Sequence, residues 1–134
     1  MSRIMFATVA AFCAATSAVA EPIGEIREPI WTAQPSAHQA SAAYPFRAMA
    51  NEKIGVAVVR CVVGGDGRLN NCSLACETPK KWGFGAAALK LTRLYRMKET
   101  LPDGRSVAGA TVALPFNFNP PFLERLPRCD AAGN

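Results

Sequence analysis

The stretch from Ile54 to Cys76 leaves this chain few ways to fold. Ile54–Val63 is rich in β-branched residues, whose stiff side chains suit a pleated strand better than a helix. Gly64-Gly65-Asp66-Gly67 follows, and Asp-Gly tolerates the positive φ that tight hairpin turns demand. Leu69–Cys76 is then the return strand. With Asp66 and Gly67 as the central turn residues, Val63 faces Asn70, Cys61 faces Cys72, Val59 faces Leu74 and Ala57 faces Cys76. A bulge at Gly64-Gly65 would shift this register by one. Antiparallel partners lie ~4.5–5.5 Å apart at Cα, within the ~4.4–6.8 Å that a disulfide spans. The register therefore predicts a Cys61–Cys72 staple, provided that the chain occupies an oxidising compartment.

The N-terminus speaks for such a compartment. Arg3 precedes an apolar run from Ile4 to Ala15, and Ala18-Val19-Ala20 gives the small-x-small pattern of a cleavage site. Residues 1–20 are expected to be a cleaved signal peptide. The run is short for a membrane span, which needs ~20 apolar residues. Phe12 before Cys13 is too large for a lipidation site. No later segment is long and apolar enough to span a bilayer, so none is expected after cleavage.

Cys61, Cys72, Cys76 and Cys129 remain in the exported chain, and an even count outside the cytosol favours disulfides over zinc. If Cys61 pairs with Cys72, Cys76 is left for Cys129, although spacing alone leaves that second pairing open. His38 is the sole histidine and lies far from the cysteines, so no metal site is expected.

The net charge of +5 comes from scattered Lys and Arg, with only Lys80-Lys81 adjacent. That distribution is a solvated basic surface rather than a nucleic-acid site.

Residues 21–43, with Pro22, Pro29 and Pro35, read as an extended lead-in. Ile30-Trp31 is a candidate anchor, and Ser36 can cap a short helix reaching Ala43. Pro45 suits the first turn of a second short helix, Phe46–Ala50. After a loop marked by Pro79, Gly83 and Gly85, the pattern becomes helical. Phe84, Ala87, Ala88, Leu91, Leu94 and Tyr95 share an arc of roughly 120°, which predicts a helix from Phe84 to Met97–Lys98. Trp82 and Phe84 are expected to anchor the helix entry in the core. Glu77, Lys80 and Lys81 are expected to face solvent.

Ser106–Asn119 is the last strand, alternating Val112, Leu114, Phe116 and Phe118 with Ala113, Pro115 and Asn117. Pro115 cannot donate to a ladder, which places this strand at a sheet edge. Residues 120–134 form a tail. The order is β-β-α-β. A helix of ~14 residues spans ~20 Å and carries the chain back along the sheet. The expected fold is α+β: a three-stranded antiparallel sheet in the order second-first-third, with one main helix on a face and short helical segments before it.

In order along the chain stand Tyr44-Pro45-x-x-Ala48, Gly55-Val-Ala-Val, Asp66-Gly-Arg-Leu, Pro79 and Gly83-Phe-Gly-x-x-Ala88-Leu89. Asp103-Gly-Arg-Ser-Val107 and Val112-x-Leu-Pro-Phe-x-Phe118 complete the series. Together these motifs resemble the C-terminal domain of the TonB family over residues 44–119, closest to exported members with a Cys-x-Val-x-x-x-Asp-Gly-x-Leu-x-x-Cys hairpin. The resemblance implies a domain of the Gram-negative periplasm that grips an extended segment of an outer-membrane transporter. The grip would be β-augmentation, a peptide adding a strand to an open sheet edge.

Energy-transducing members are anchored in the inner membrane and carry a long spacer. Here the apolar segment reads as cleavable. The lead-in 21–43 would reach only ~80 Å even at ~3.5 Å per residue. A role accessory to envelope transport is therefore the expectation, rather than force transmission by this chain alone.

The candidate binding element is the edge strand: Ala110, Thr111, Val112, Ala113, Leu114, Phe116 and Phe118. The expected partner is an envelope protein or an extended peptide from one, in the periplasm or outside the cell, and strand exchange would allow a homodimer. The alternative is a disulfide-stapled structural or inhibitor-like envelope protein that binds through residues 80–84 and 122–129. No enzyme and no cofactor are expected. Asp66 and Asp103 each precede Gly in turns, where local hydrogen bonding accounts for them, and no Cys-x-x-Cys or Ser-His-Asp constellation exists.

Overall fold

The computed structural model describes residues 23–119 and Cys129. The expected signal peptide, Glu21-Pro22 and the tail segments 120–128 and 130–134 lie outside the described residues. In chain order come β1 (Trp31–Ala33), α1 (Ala37–Ala42), α2 (Phe46–Ala50), β2 (Gly55–Val63), β3 (Leu69–Thr78) and α3 (Phe84–Leu91). A 3-10 turn (Thr92–Leu94), β4 (Arg96–Met97) and β5 (Thr111–Phe118) complete the series.

The main sheet has the order β3-β2-β5, with β2 antiparallel to both neighbours. This is the expected second-first-third arrangement. Ala57, Val59, Cys61 and Val63 of β2 and Val112, Leu114, Phe116 and Phe118 of β5 are buried together with Phe84, Ala87, Ala88 and Leu91 of α3. The α+β core thus lies between one sheet face and one helix. Gly55 is where the layers meet most closely, because a Cβ there would overlap the Phe84 ring.

The helical elements start where local chemistry dictates. Ser36 and Gln39 form a reciprocal capping box on α1. Pro45 is the N-cap residue of α2. At α3, the Glu77 carboxylate on β3 accepts the Gly85 N–H at 2.6 Å. Glu77 is therefore half-buried and not the solvent-facing residue expected, because the first helical N–H groups need an acceptor from outside the helix.

α3 is shorter than its periodicity suggests. It stops at Leu91, six to seven residues before the expected end. The Thr92 hydroxyl donates to the Leu89 carbonyl, and the chain tightens into the 3-10 turn. Tyr95 is extended, and Arg96–Met97 pairs with Trp31–Ala33 in a two-stranded sheet absent from the expected fold. The short helix therefore covers only part of the return path, and the 3-10 turn, β4 and the connection 98–110 complete it.

The hairpin also departs from the expected register. Val63 pairs with Leu69 and Val62 with Asn70, so the turn is the loop Gly64–Arg68, closed by Gly64 N–H donating to the Arg68 carbonyl at 2.8 Å. Two further slips occur in β3. One accommodates Asn71, held at φ +47°, and the other accommodates Ala75. Between them Val59 faces Leu74, as expected. Beyond them Cys76 faces Val58 instead of Ala57, which moves it to the sheet face away from α3. The disulfides join Cys61 to Cys72 and Cys76 to Cys129.

Candidate functional site

Among the described residues β2 is the one strand that β5 pairs with along its length, so the other side of β5 is the edge of the sheet. The pairing runs without a slip from Gly55↔Phe118 to Val62↔Thr111. Strand geometry then sorts the backbone groups into two sets, because successive residues point their N–H and C=O to opposite sides. Two observations fix which set faces outward. The Val63 N–H donates to the Ala110 carbonyl, whereas the Thr111 N–H donates to Gly24 and the Thr111 carbonyl accepts from Ile26, on the far side from β2. Thr111, Ala113, Pro115 and Asn117 therefore present their backbones outward. Val112, Leu114, Phe116 and Phe118 spend theirs on β2 and bury their side chains under α3.

This sorting places each residue of the expected edge. Ala110 is fully buried and precedes the strand; its N–H donates to Val107. Of the remaining residues only Thr111 and Ala113 offer outward backbone. Asn117, not singled out from the sequence, is exposed and belongs with them. Pro115 carried the signal that could have found it. A proline fits a strand only where its missing N–H would point away from the neighbour, so Pro115 alone fixes the outward parity as odd-numbered.

The edge is braced from behind by aromatic rings. Phe84 and Phe118 lie 5.2 Å apart, and Tyr44 packs edge-on against both. Tyr95 packs edge-on against Phe116 at 5.8 Å and against Trp31 at 4.9 Å. The Tyr44 hydroxyl donates to the Lys53 and Phe118 carbonyls. Burial pushes the hydroxyl pKa of both Tyr44 and Tyr95 above the ordinary tyrosine value. Where β5 ends, a cavity of about 180 Å³ opens between α1 and the strand, lined by Ala40, Ser41, Tyr44, Leu91 and residues 116–119.

The N-terminal segment already touches this edge. Glu25 bridges Thr111 in a parallel sense, and its carboxylate lies 3.6 Å from the Arg60 guanidinium on β2. Ile26 is buried against the core. At Arg27–Glu28 the chain bends away toward β1, leaving the outward groups of Ala113–Asn117 without a neighbouring strand among the described residues.

Other residues singled out from the sequence fall elsewhere. Phe84 is fully buried at the helix entry. Trp82 is half-buried and packs against the core, with Arg47 at 5.1 Å and Lys53 at 5.5 Å over its ring. Asp66 accepts the Arg68 N–H, and Asp103 accepts both the N–H and the guanidinium of Arg105. Those bonds to Arg105 hold the exposed Asp103 carboxyl below its usual range. Of the tail residues named for an alternative site, Phe122–Arg128 lie outside the described residues. Among the described residues, no group of three or more His, Cys, Asp and Glu side chains could hold a metal ion. No helix among them is long and apolar enough to cross a membrane.

Residues 40–120 match the family described as Gram-negative bacterial TonB protein C-terminal. The match covers more than half of the chain, and the protein belongs to that family, a non-catalytic scaffold domain. A protein of Caulobacter vibrioides described as "Uncharacterized protein" is 32% identical over 73 residues, which are 54% of this chain and 73% of that relative.

Proposed function

We propose that this domain acts in the periplasm or outside the cell, delivered by the leader at residues 1–20. There it binds an extended segment of an envelope protein by β-augmentation on β5. The single observation that carries this reading is the set of outward backbone groups at Ala113, Pro115 and Asn117, which continue an edge that a peptide-like segment already begins at Thr111. Main-chain hydrogen bonds supply much of the affinity in such a mode, and pockets beside the edge supply selectivity. The cavity between α1 and the end of β5 can take a guest side chain next to Asn117. Outer-membrane transporters are the partner class that the family points to, with this chain accessory to envelope transport.

Titration of the isotope-labelled chain with extended peptides from outer-membrane transporters tests the proposal. Amide shifts concentrated at Thr111, Ala113 and Asn117 are expected. Saturating peptide with no shifts in residues 110–118 would overturn it.

A second reading rests on a different surface. On α2, Phe46 is 83% exposed and Met49 55% exposed, beside the Trp82 ring and its two cations. That patch suits a stapled binding protein using residues 80–84. A pulldown from envelope extract that survives Ala113→Pro but fails with Phe46→Ser would favour it over the edge. A concentration-dependent dimer lost with Ala113→Pro would instead identify a second copy at the edge.

A further inference from the structure

The geometry points to the lead-in as a resident competitor for the binding edge, an inference that rests on the augmentation reading. Gly24–Ile26 behaves as the first residues of a fourth strand. Thr111 donates to the Gly24 carbonyl at 3.3 Å and accepts from the Ile26 N–H at 2.8 Å. Bonding of one residue to the two residues that flank its partner is the pattern of a parallel ladder. The Glu25–Arg60 ion pair reaches across β5 and latches this short strand onto the sheet, and Ile26 closes the end of the core beneath it.

The tether is short. Only Arg27, Glu28 and Pro29 separate Ile26 from Ile30, whose carbonyl accepts the Lys98 N–H at 2.8 Å. A segment held so close has an effective concentration of ~mM or higher at its site. It also takes only part of the edge, because the bend at Arg27–Glu28 carries it away before Ala113. A guest strand along the whole of β5 needs the outward groups of Thr111, which the lead-in holds. A guest must therefore displace Gly24–Ile26 or forgo the first rung. Release of the lead-in and capture of a guest become one exchange, and residues 23–26 set the threshold for binding.

The test compares the exported-length chain from Glu21 with its Glu25→Lys and Ile26→Pro variants. Glu25 is exposed, so reversing its charge against Arg60 loosens the latch without touching the core. Ile26→Pro removes the donated hydrogen bond. The probe is the synthetic peptide acetyl-Gly-Glu-Ile-Thr-Val-Thr-Val-amide, which repeats residues 24–26 and continues as a strand. Binding is read by titration, and edge occupancy by amide exchange at Ile26, Ala113 and Asn117.

Both variants are expected to bind the probe about fivefold tighter, the effect of one lost competing contact. In the unsubstituted chain the probe should speed exchange at Ile26 while slowing it at Ala113 and Asn117. Equal affinity in all three proteins, with Ile26 still protected in the unsubstituted and Glu25→Lys chains and Ala113 and Asn117 newly protected in all three, would overturn the competitor and leave augmentation standing. Ala113 and Asn117 unprotected in all three proteins at the highest probe concentration would overturn augmentation and the competitor with it.

Discussion

Against β5, the register of β2 runs without a slip through eight successive pairs; against β3, it slips twice within seven. The same central strand thus meets one regular neighbour and one irregular one. β3 has extra residues at Asn71 and Ala75, a disulfide at Cys72 and another at Cys76. Bulges and attached chain are the usual means of stopping a sheet edge from recruiting another strand. Among the described residues β5 has Pro115 in that role, and its first rung is covered by three residues of lead-in. Among the described residues the sheet therefore has one edge interrupted by bulges, the closed side, and one regular edge, the open side, and the difference follows from where the extra residues of β3 fall.

The largest expected effect comes from cutting the staples on the closed side. The Cys76–Cys129 bond closes a loop with a sequence separation of 53, and Cys61–Cys72 one of 11. Chain entropy assigns about 4 kcal/mol to the first and about 3 kcal/mol to the second. Paired substitutions to Ala should therefore destabilise in that order, measured as urea-unfolding free energies of the exported chain. The Cys61→Ala/Cys72→Ala pair also removes a fully buried sulfur, which narrows the gap. If β5 depends on β2 and not on β3, peptide binding at the edge should survive either pair wherever the protein remains folded.

The hairpin tip gives the next effect. Gly67 has φ +78°, its carbonyl accepts the Met97 N–H at 2.8 Å, and a Cβ on it would overlap the Met97 carbonyl oxygen. The Arg96 guanidinium donates to the neighbouring Asp66 carbonyl. The tip of the closed edge is thus tied to β4. Gly67→Ala combines left-handed backbone strain with that overlap and should cost at least about 2 kcal/mol. Exchange should rise at Met97 and Gly64 before it rises along β5. Equal loss on both sides of β2 would mean that the two edges are not independent.

How much of this was legible in the sequence depends on what specifies each element. The β-branched run, the Gly-rich turn, the start of α3 at Phe84 and the edge character of β5 are local signals, and each led to the right element. Pro115 also contained the outward parity of the edge, so the backbone groups a guest would meet were legible in principle. The bulges were not. A single extra residue at Asn71 or Ala75 leaves the composition of β3 unchanged, yet Ala75 is enough to carry Cys76 to the other face. The helical stripe ran on through Leu94 and Tyr95, but tertiary pairing outweighed it. Tyr95 gains Trp31 and Phe116 as ring partners, and Met97 gains Gly67, by leaving the helix. Gly24–Ile26 has no periodicity to read, because one rung on an existing edge is specified by its partner strand.

Tyr44 sharpens the comparison from the open side. Its hydroxyl joins the Lys53 carbonyl before β2 to the Phe118 carbonyl of β5. Tyr44→Phe should cost about 1 kcal/mol, the usual net worth of such a hydrogen bond. Burial raises the hydroxyl pKa of both Tyr44 and Tyr95 above 10.0. The folded chain therefore holds protons that the unfolded chain releases near pH 10, and stability should be flat below that pH and fall as pH rises beyond it. Urea midpoints followed from neutral pH to ~pH 11 should show the fall, and Tyr44→Phe should shallow it. An unchanged slope would assign the alkaline loss to Tyr95 or to groups away from β5.

The smallest effect on stability, and the most pointed for the open edge, is expected from Pro115→Ala. Pro115 is exposed, faces Val58 across the ladder, and stands at a position whose N–H would point away from β2. Alanine restores that donor without altering the bonds to β2, so the unfolding free energy should change by less than about 0.5 kcal/mol. A guest strand gains one main-chain hydrogen bond between Ala113 and Asn117, and its affinity should rise about fivefold. Because Pro115 also guards the edge, the variant should associate with itself more readily at high concentration, which sedimentation would detect. Tighter peptide binding with unchanged stability would locate the contact on the edge backbone. Unchanged binding would mean that a guest does not run past residue 115, and that the open side of the sheet ends at Ala113.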